Sequence, residues 1–269
     1  MKNVLLLVHD DAGQEARYQG ALDVTRQLGG HLTCVDVAMV PELIGDAVAL
    51  VDGGVMLAEE RTREATNKAR MLARLESEGV PFDWIDHVGF VRETIKDHAG
   101  LADLIVLSAD AEGEIFPWMK EVVGDLLVEL GKPVLMMPPN VLSFRPQGKA
   151  MIAWDGSADA AAALQASIPI LQHASSVTLV YANDKSLKVP LEEAACYLSR
   201  HDIEPQIKQL PVGIERPGRM LCVEAELGRY DYAVMGGYGH SRTIETIFGG
   251  VTRTMLEKSR IPILLVHKR

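Results

Sequence analysis

A chain of 269 residues, 48% of them hydrophobic, carries enough apolar material for two domains of ordinary size or one large one, and too much for disorder. Its 27 basic residues against 37 acidic ones leave a net charge of −10, which argues against nonspecific binding to nucleic acid or to an anionic membrane. Three cysteines without paired spacing, Cys34, Cys196 and Cys222, read as reduced, core-filling thiols of a cytosolic protein.

The opening stretch, MKNVLLLVHDD, has five consecutive apolar residues before His9. That is too short for a signal peptide or a membrane span, and it reads as a first strand. No later stretch is long and apolar enough to cross a bilayer. Along the first half, strands are expected near 3–9, 31–37, 82–88, 103–108 and 133–137, with helices near 14–28, 55–78, 91–99 and 119–130. Between them, 38–56 is long for a βα connection and reads either as a lid over a cleft or as a small helix that packs. In the second half, strands fall near 149–154, 176–181, 203–210, 232–236 and 262–267. The matching helices fall near 157–171, 190–200, 217–227 and 249–258.

The order of elements repeats. Asp10, at the end of the first strand, precedes Thr33 by 23 positions, and Asp155 precedes Thr178 by the same 23. GLADLIVLS at 100–108 matches GRYDYAVMG at 228–236, and GKPVLMMPP matches RIPILLVHK. Repetition on this scale means two copies of one unit. The expected division is 1–139, a linker at 140–148, and 149–269. Strands alternating with helices predict an α/β fold of two tandem, open, doubly wound, parallel five-stranded sheets related by a pseudo-two-fold. The halves are expected to meet through their apolar final strands. Ligands of such sheets sit beyond the carboxyl ends of the strands.

The second half spends glycines at that edge. Gly236, Gly237 and Gly239 follow its fourth strand, and Gly249 and Gly250 open its last helix. Bare backbone and a helix N-terminus both favour an anion such as phosphate. Thr252 offers a hydroxyl, and His240, Arg242 and Arg253 offer positive charge. The alternative is two unrelated loops that need unusual backbone angles. There is no P-loop, and GGYGHS lacks the last glycine of a dinucleotide fingerprint.

Gly236-x-x-Gly239, nine residues, then Gly249 resembles the nucleotide loop of the universal stress proteins, whose usual form ends in Gly followed by Ser or Thr. AWDGS at 153–157 is similar to that family's first-strand ending, PILLVHKR to its last strand, and the resemblance covers nearly the whole chain as two tandem copies. It implies an adenine nucleotide, ATP or a relative with or without Mg, in the second half. Asp155 would meet the adenosine end and Ala182 would offer backbone atoms to the base. Gly236, Gly239, Gly249 and Gly250 would cradle the phosphates, with Val251 and Thr252 on the helix start. Gly250 stands where the family has a hydroxyl. In the first half, Ser108 and Ala111 hold the glycine positions amid Asp110, Glu112 and Glu114, so no nucleotide is expected there.

Other polar residues have plainer readings beside their functional ones. His9, Asp10 and Asp11 are conceivable metal ligands, or a strand-to-helix turn with a capping aspartate. Ser157 lacks the G-x-S-x-G setting of a hydrolase and reads as a helix cap. Met56, Met71, Met136 and Met137 read as core filler. The expected function is a cytoplasmic stress-linked sensor or regulator that binds adenine nucleotide and forms a homodimer. At most it is a slow ATPase, since no general base is evident. The alternatives are a nucleotide-free dimeric interaction module, or a carrier of another ligand in the first-half cleft. A substrate-activating enzyme of the wider adenine-nucleotide group lacks its signatures here.

Overall fold

The computed structural model describes residues 1–39, 49–108, 119–182, 187–211, 215–237 and 250–268, with the backbone alone at 49–56 and 119–121. The first half runs β1 (Asn3–Val8), α1 (Gln14–Leu28), β2 (His31–Met39), α2 (Ala49–Ser77), β3 (Phe82–Gly89), α3 (Val91–His98), β4 (Leu104–Ser108), α4 (Met119–Leu130) and β5 (Val134–Met137). The second half repeats it: β6 (Lys149–Ala153), α5 (Ala158–Leu171), β7 (Ser176–Ala182), α6 (Leu191–Ser199), β8 (Pro205–Leu210), α7 (Pro217–Leu227), β9 (Tyr232–Gly236), α8 (Gly250–Lys258) and β10 (Ile263–Val266). One helix departs from expectation. α2 begins at Ala49 and runs through Gly53 and Gly54, ahead of the start expected near 55. Each glycine costs a helix about 1 kcal/mol, a penalty that the rest of a long helix outweighs. The suggested lid falls partly in this helix; its residues 40–48 lie outside the described residues.

Each half is a parallel sheet, and the two join into one sheet of ten strands ordered β3-β2-β1-β4-β5-β10-β9-β6-β7-β8. The single antiparallel step among these pairings is β5 to β10, in the register Val134↔Leu265, Leu135↔Leu264 and Met136↔Ile263. Leu135 and Leu264 hold equivalent places in the repeated PVLM and PILL runs, so a pseudo-two-fold axis passes through that pair, normal to the sheet. The final strands therefore meet as the apolar pattern predicts, and each covers the edge of the other.

An axis normal to the sheet keeps equivalent helices on one face. The side chains of α1, α2, α5 and α6 share one continuous core over both halves. Those of α3, α4, α7 and α8 share a second core on the opposite face. Strands β4 and β9 are buried on both sides, which is why their sequences are runs rather than alternations. The repeated aspartates before them act at the amino-terminal edge. Asp103 accepts from the N–H of Lys2 at 2.7 Å and of Asn3 at 2.9 Å, and Asp231 accepts from Lys149 N–H at 2.8 Å. Each ties the start of the fourth strand of its half to the start of the first. Between the halves, Phe144 is buried against Tyr232, ring centroids 5.1 Å apart, and its N–H donates to Asp23 at 2.9 Å. Cys34 and Cys222 are buried, whereas Cys196 is exposed, because it faces outward from α6. Among the described residues no helix is long and apolar enough to cross a membrane.

Candidate nucleotide cleft and its counterpart in the first half

A cavity of about 370 Å³ opens at the carboxyl ends of β6, β7 and β9. Its floor is set by a tight turn after β6. The Asp155 carboxylate accepts from Ser157 N–H at 2.9 Å, and Ser157 Oγ accepts from Ala160 N–H at 3.1 Å, capping α5 as its spacing suggests. Gly156 between them has φ +72°, and a Cβ there would lie 2.1 Å from Val189 N, so only glycine suits the position. Trp154 Nε1 donates to Val189 O at 3.0 Å, and Lys188 N–H donates to Asp155 O at 3.2 Å. These bonds fold the segment before α6 onto the turn.

Gly236 closes the far side. A Cβ on it would lie 2.6 Å from Ala160 N and 2.7 Å from Asp159 C, so its bareness lets the end of β9 seat against the first turn of α5. Asp159 Oδ1 accepts from Lys268 N–H at 2.8 Å and lies 2.9 Å from His267 Nδ1, which is also 2.9 Å from Gly237 O. The residues after β10 thus pin both Gly237 and the start of α5.

The sequence-derived site residues come together in part. Asp155, Ala182, Gly236, Gly250, Val251 and Thr252 all line this one cavity. Gly239, His240 and Gly249 lie outside the described residues, as does Arg242. Arg253 is not part of the cavity lining; its Nε donates to Glu257 at 2.8 Å, one turn along an exposed face of α8. A Cβ at position 250 would meet none of the described residues within 4 Å, so among them the hydroxyl absent there would have had room. Sequence reading missed the apolar walls, Trp154, Tyr181, Leu221 and Met235, and also Arg216 and Gly218 at the start of α7. Pro217 at the first position of α7 was the available signal for that helix opening beside the cleft.

The same edge of the first half is filled with charge. Arg17, fully buried, donates to Leu7 O at 3.1 Å, His9 O at 3.1 Å and Ser108 Oγ at 2.7 Å, and makes two bonds to Asp11 at 2.9 Å. Asp11 does not cap α1 as expected. It accepts from Gly13 N–H at 2.7 Å in a turn, and Gly13 itself is the N-cap. Asp10 pairs with Arg70 at 2.7 Å. His9 Nδ1 lies 2.7 Å from Glu64, 3.7 Å from Glu60 and 3.2 Å from Val37 O. Beside them Asp36 is buried; burial and then the neighbouring Glu64 charge push its carboxyl up to about 8. Burial pulls Glu64 the same way, but its bonds to His9 and to Asp10 N–H outweigh that and hold it below the usual range. The first-half loop residues Ala111, Asp110, Glu112 and Glu114 lie outside the described residues.

No family model matches the chain. Among solved structures, the crystal structure of a universal stress protein from Archaeoglobus fulgidus DSM 4304 superposes with a TM-score of 0.74 at 14% identity, covering 99% of this chain and 96% of that one. The chain therefore has the fold of tandem universal stress proteins. A putative universal stress protein from Pseudomonas aeruginosa UCBPP-PA14 shares this tandem fold, with a TM-score of 0.61 at 16% identity over 99% of this chain and 93% of that one. In sequence, a universal stress protein from Synechocystis sp. is 24% identical over 306 aligned positions, spanning 98% of this chain and 99% of that relative.

Proposed function

We propose that the second half binds an adenine nucleotide, ATP or a relative, and that the protein acts as a stress-linked sensor or regulator rather than as an efficient enzyme. The observation that carries this reading is the cavity beyond β6, β7 and β9. Its volume of about 370 Å³ lies within the range of small-molecule sites, and its lining combines apolar walls with a few polar groups. Trp154, Tyr181, Leu221 and Met235 supply a surface for a flat base. Asp155, at the lip, suits a ribose hydroxyl. Gly250, Val251 and Thr252 begin α8, where the first backbone N–H groups lack intrahelical partners and the helix dipole is positive. Those groups favour the phosphates, and Arg216, at the start of α7 where it packs against α8, adds a cation to the lining.

In this reading the chain divides at 140–148 into units 1–139 and 149–269, and copies of the chain pair in the cytoplasm, with nucleotide occupancy biasing that association. Mg accompanies a triphosphate. The supporting test is calorimetry with ATP, ADP, AMP and adenosine, with and without Mg²⁺, on protein stripped of nucleotide. Binding of one ligand per chain, lost on Ala182→Trp in the cavity wall, is the expected result. Absence of heat with all four ligands, and no nucleotide released from freshly purified protein, removes the proposal.

A further inference from the structure

We propose that the first half holds a divalent transition-metal cation between β1 and α2, with His9, Glu60 and Glu64 as ligands and Asp36 as a fourth donor. One ligand atom from each of His9, Glu60 and Glu64 lies within 4.8 Å of the others, and all three side chains are buried or nearly so. Nitrogen and oxygen ligands about 2.1 Å from one ion stand roughly 3–4 Å apart. The 2.7 Å and 3.7 Å separations from His9 Nδ1 to Glu64 and Glu60 need only small side-chain shifts to match.

Two unsatisfied atoms point the same way. Asp36 is only 4% exposed and lies beside Glu64, and its Oδ1 has no hydrogen-bond partner within ordinary geometry among the described residues. Oε1 of Glu60 is likewise buried without a hydrogen bond. A buried carboxyl oxygen without a partner is costly whether the group is neutral or charged, and two such atoms beside a histidine make a demand that a cation would meet. Glu60 and Glu64 also stand four residues apart on one face of α2, where like charges repel, yet both turn inward toward His9.

The surroundings hold the ligands in place. Glu64 accepts from Asp10 N–H at 3.1 Å and from Asn67 Nδ2 at 3.1 Å. Asn67 is locked by reciprocal amide bonds with Gln14, each 2.8 Å. Such outer bonds commonly orient metal ligands. Arg63 accounts for part of the charge as the protein stands, 2.6 Å from Glu60 and 3.3 Å from His9 Nε2. Its side chain is 39% exposed and can swing outward when an ion enters. One imidazole nitrogen among carboxylates suits zinc or manganese rather than magnesium, which prefers oxygen alone.

The test is titration of Zn²⁺ into tag-free, chelator-treated full-length protein, followed by calorimetry and, with Co²⁺ as a spectroscopic probe, by visible absorption. One ion per chain is expected, resistant to excess Mg²⁺ and bound about 100-fold more weakly in His9→Ala and in Glu60→Gln. Glu60→Gln preserves volume and leaves the His9–Glu64 bond intact, so it reads the site even if His9→Ala fails to fold. The Co²⁺ spectrum should lose intensity in the same variants. No uptake by the wild-type protein overturns the proposal. So does equal uptake by the wild type and both variants, which marks binding at surface histidines, and so does displacement by Mg²⁺.

Discussion

The two carboxyl edges are laid out on the same strand order and have opposite contents. In the register that matches Asp10 with Asp155, His9 matches Trp154 and Asp36 matches Tyr181. One half thus puts an imidazole and a carboxylate at the ends of its first two strands, and the other puts aromatic rings there. The consequence is volumetric as well as chemical. Buried charges draw partners inward, and Arg17, Glu60 and Glu64 converge on the first edge. Aromatic walls beside small residues leave space, and the second edge keeps its cavity. Where Ser108 takes a bond from Arg17, the second half has Gly236 seated against α5. A repeated fold has therefore been specialised by what fills the strand ends, with the strands themselves left alone.

Substitutions can break this contrast or sharpen it. The largest effect is expected from Arg17→Ala. It leaves the Asp11 carboxylate without its cation and removes bonds to two buried carbonyls, which costs about 3–5 kcal/mol and is measurable as a lowered midpoint in urea unfolding. Next is Gly236→Ala. Its Cβ would press on Ala160 N at 2.6 Å, and the overpacking costs about 1–3 kcal/mol; nucleotide affinity, read by calorimetry, should fall with it.

Gly250→Ser should act in the opposite direction. The added side chain meets none of the described residues, so stability is expected to stay within about 0.5 kcal/mol. A new hydroxyl bond to phosphate, worth about 1 kcal/mol, should tighten nucleotide binding roughly fivefold. The smallest effect tests what the halves share. Asp103→Asn should cost at most about 1 kcal/mol at neutral pH, since the carboxylate is largely solvent-screened. Burial acts to raise the Asp103 pKa, but bonds from Asn3 and Lys2 N–H leave it lowered overall. Its folded pKa lying below the unfolded one, the contribution is present above the ordinary aspartate range and lost as pH falls through the folded value. The gap between wild type and variant should therefore close on acidification below about pH 4.

Much of this was readable from residues alone. Apolar runs such as LIVLS and YAVMG marked the buried strands. The equal spacing from Asp10 to Thr33 and from Asp155 to Thr178 marked the repeat. Matching final strands even pointed to the joint at β5 and β10. Gly236 and Gly250 gave away one side of the cleft, because close backbone approach leaves a mark on sequence. Its apolar walls did not, since Trp154, Tyr181 and Leu221 look like any core residue until the strands are ordered. Glu60 and Glu64 were invisible for a different reason. On an amphipathic helix, glutamate reads as a solvent face, and only the packing of α2 on β1 and β2 turns these two inward. Arg17 was hidden the same way, a charged residue in a helix whose neighbours decide that it is buried.

The axis through Leu135 and Leu264 has an evolutionary corollary. In a pair of separate, identical chains joined through that strand contact, any change at a strand end would be inherited by both members at once. Covalent linkage lifts this constraint. A substitution such as histidine for tryptophan at one strand end is felt once, while the twin site keeps its original chemistry under the same roof.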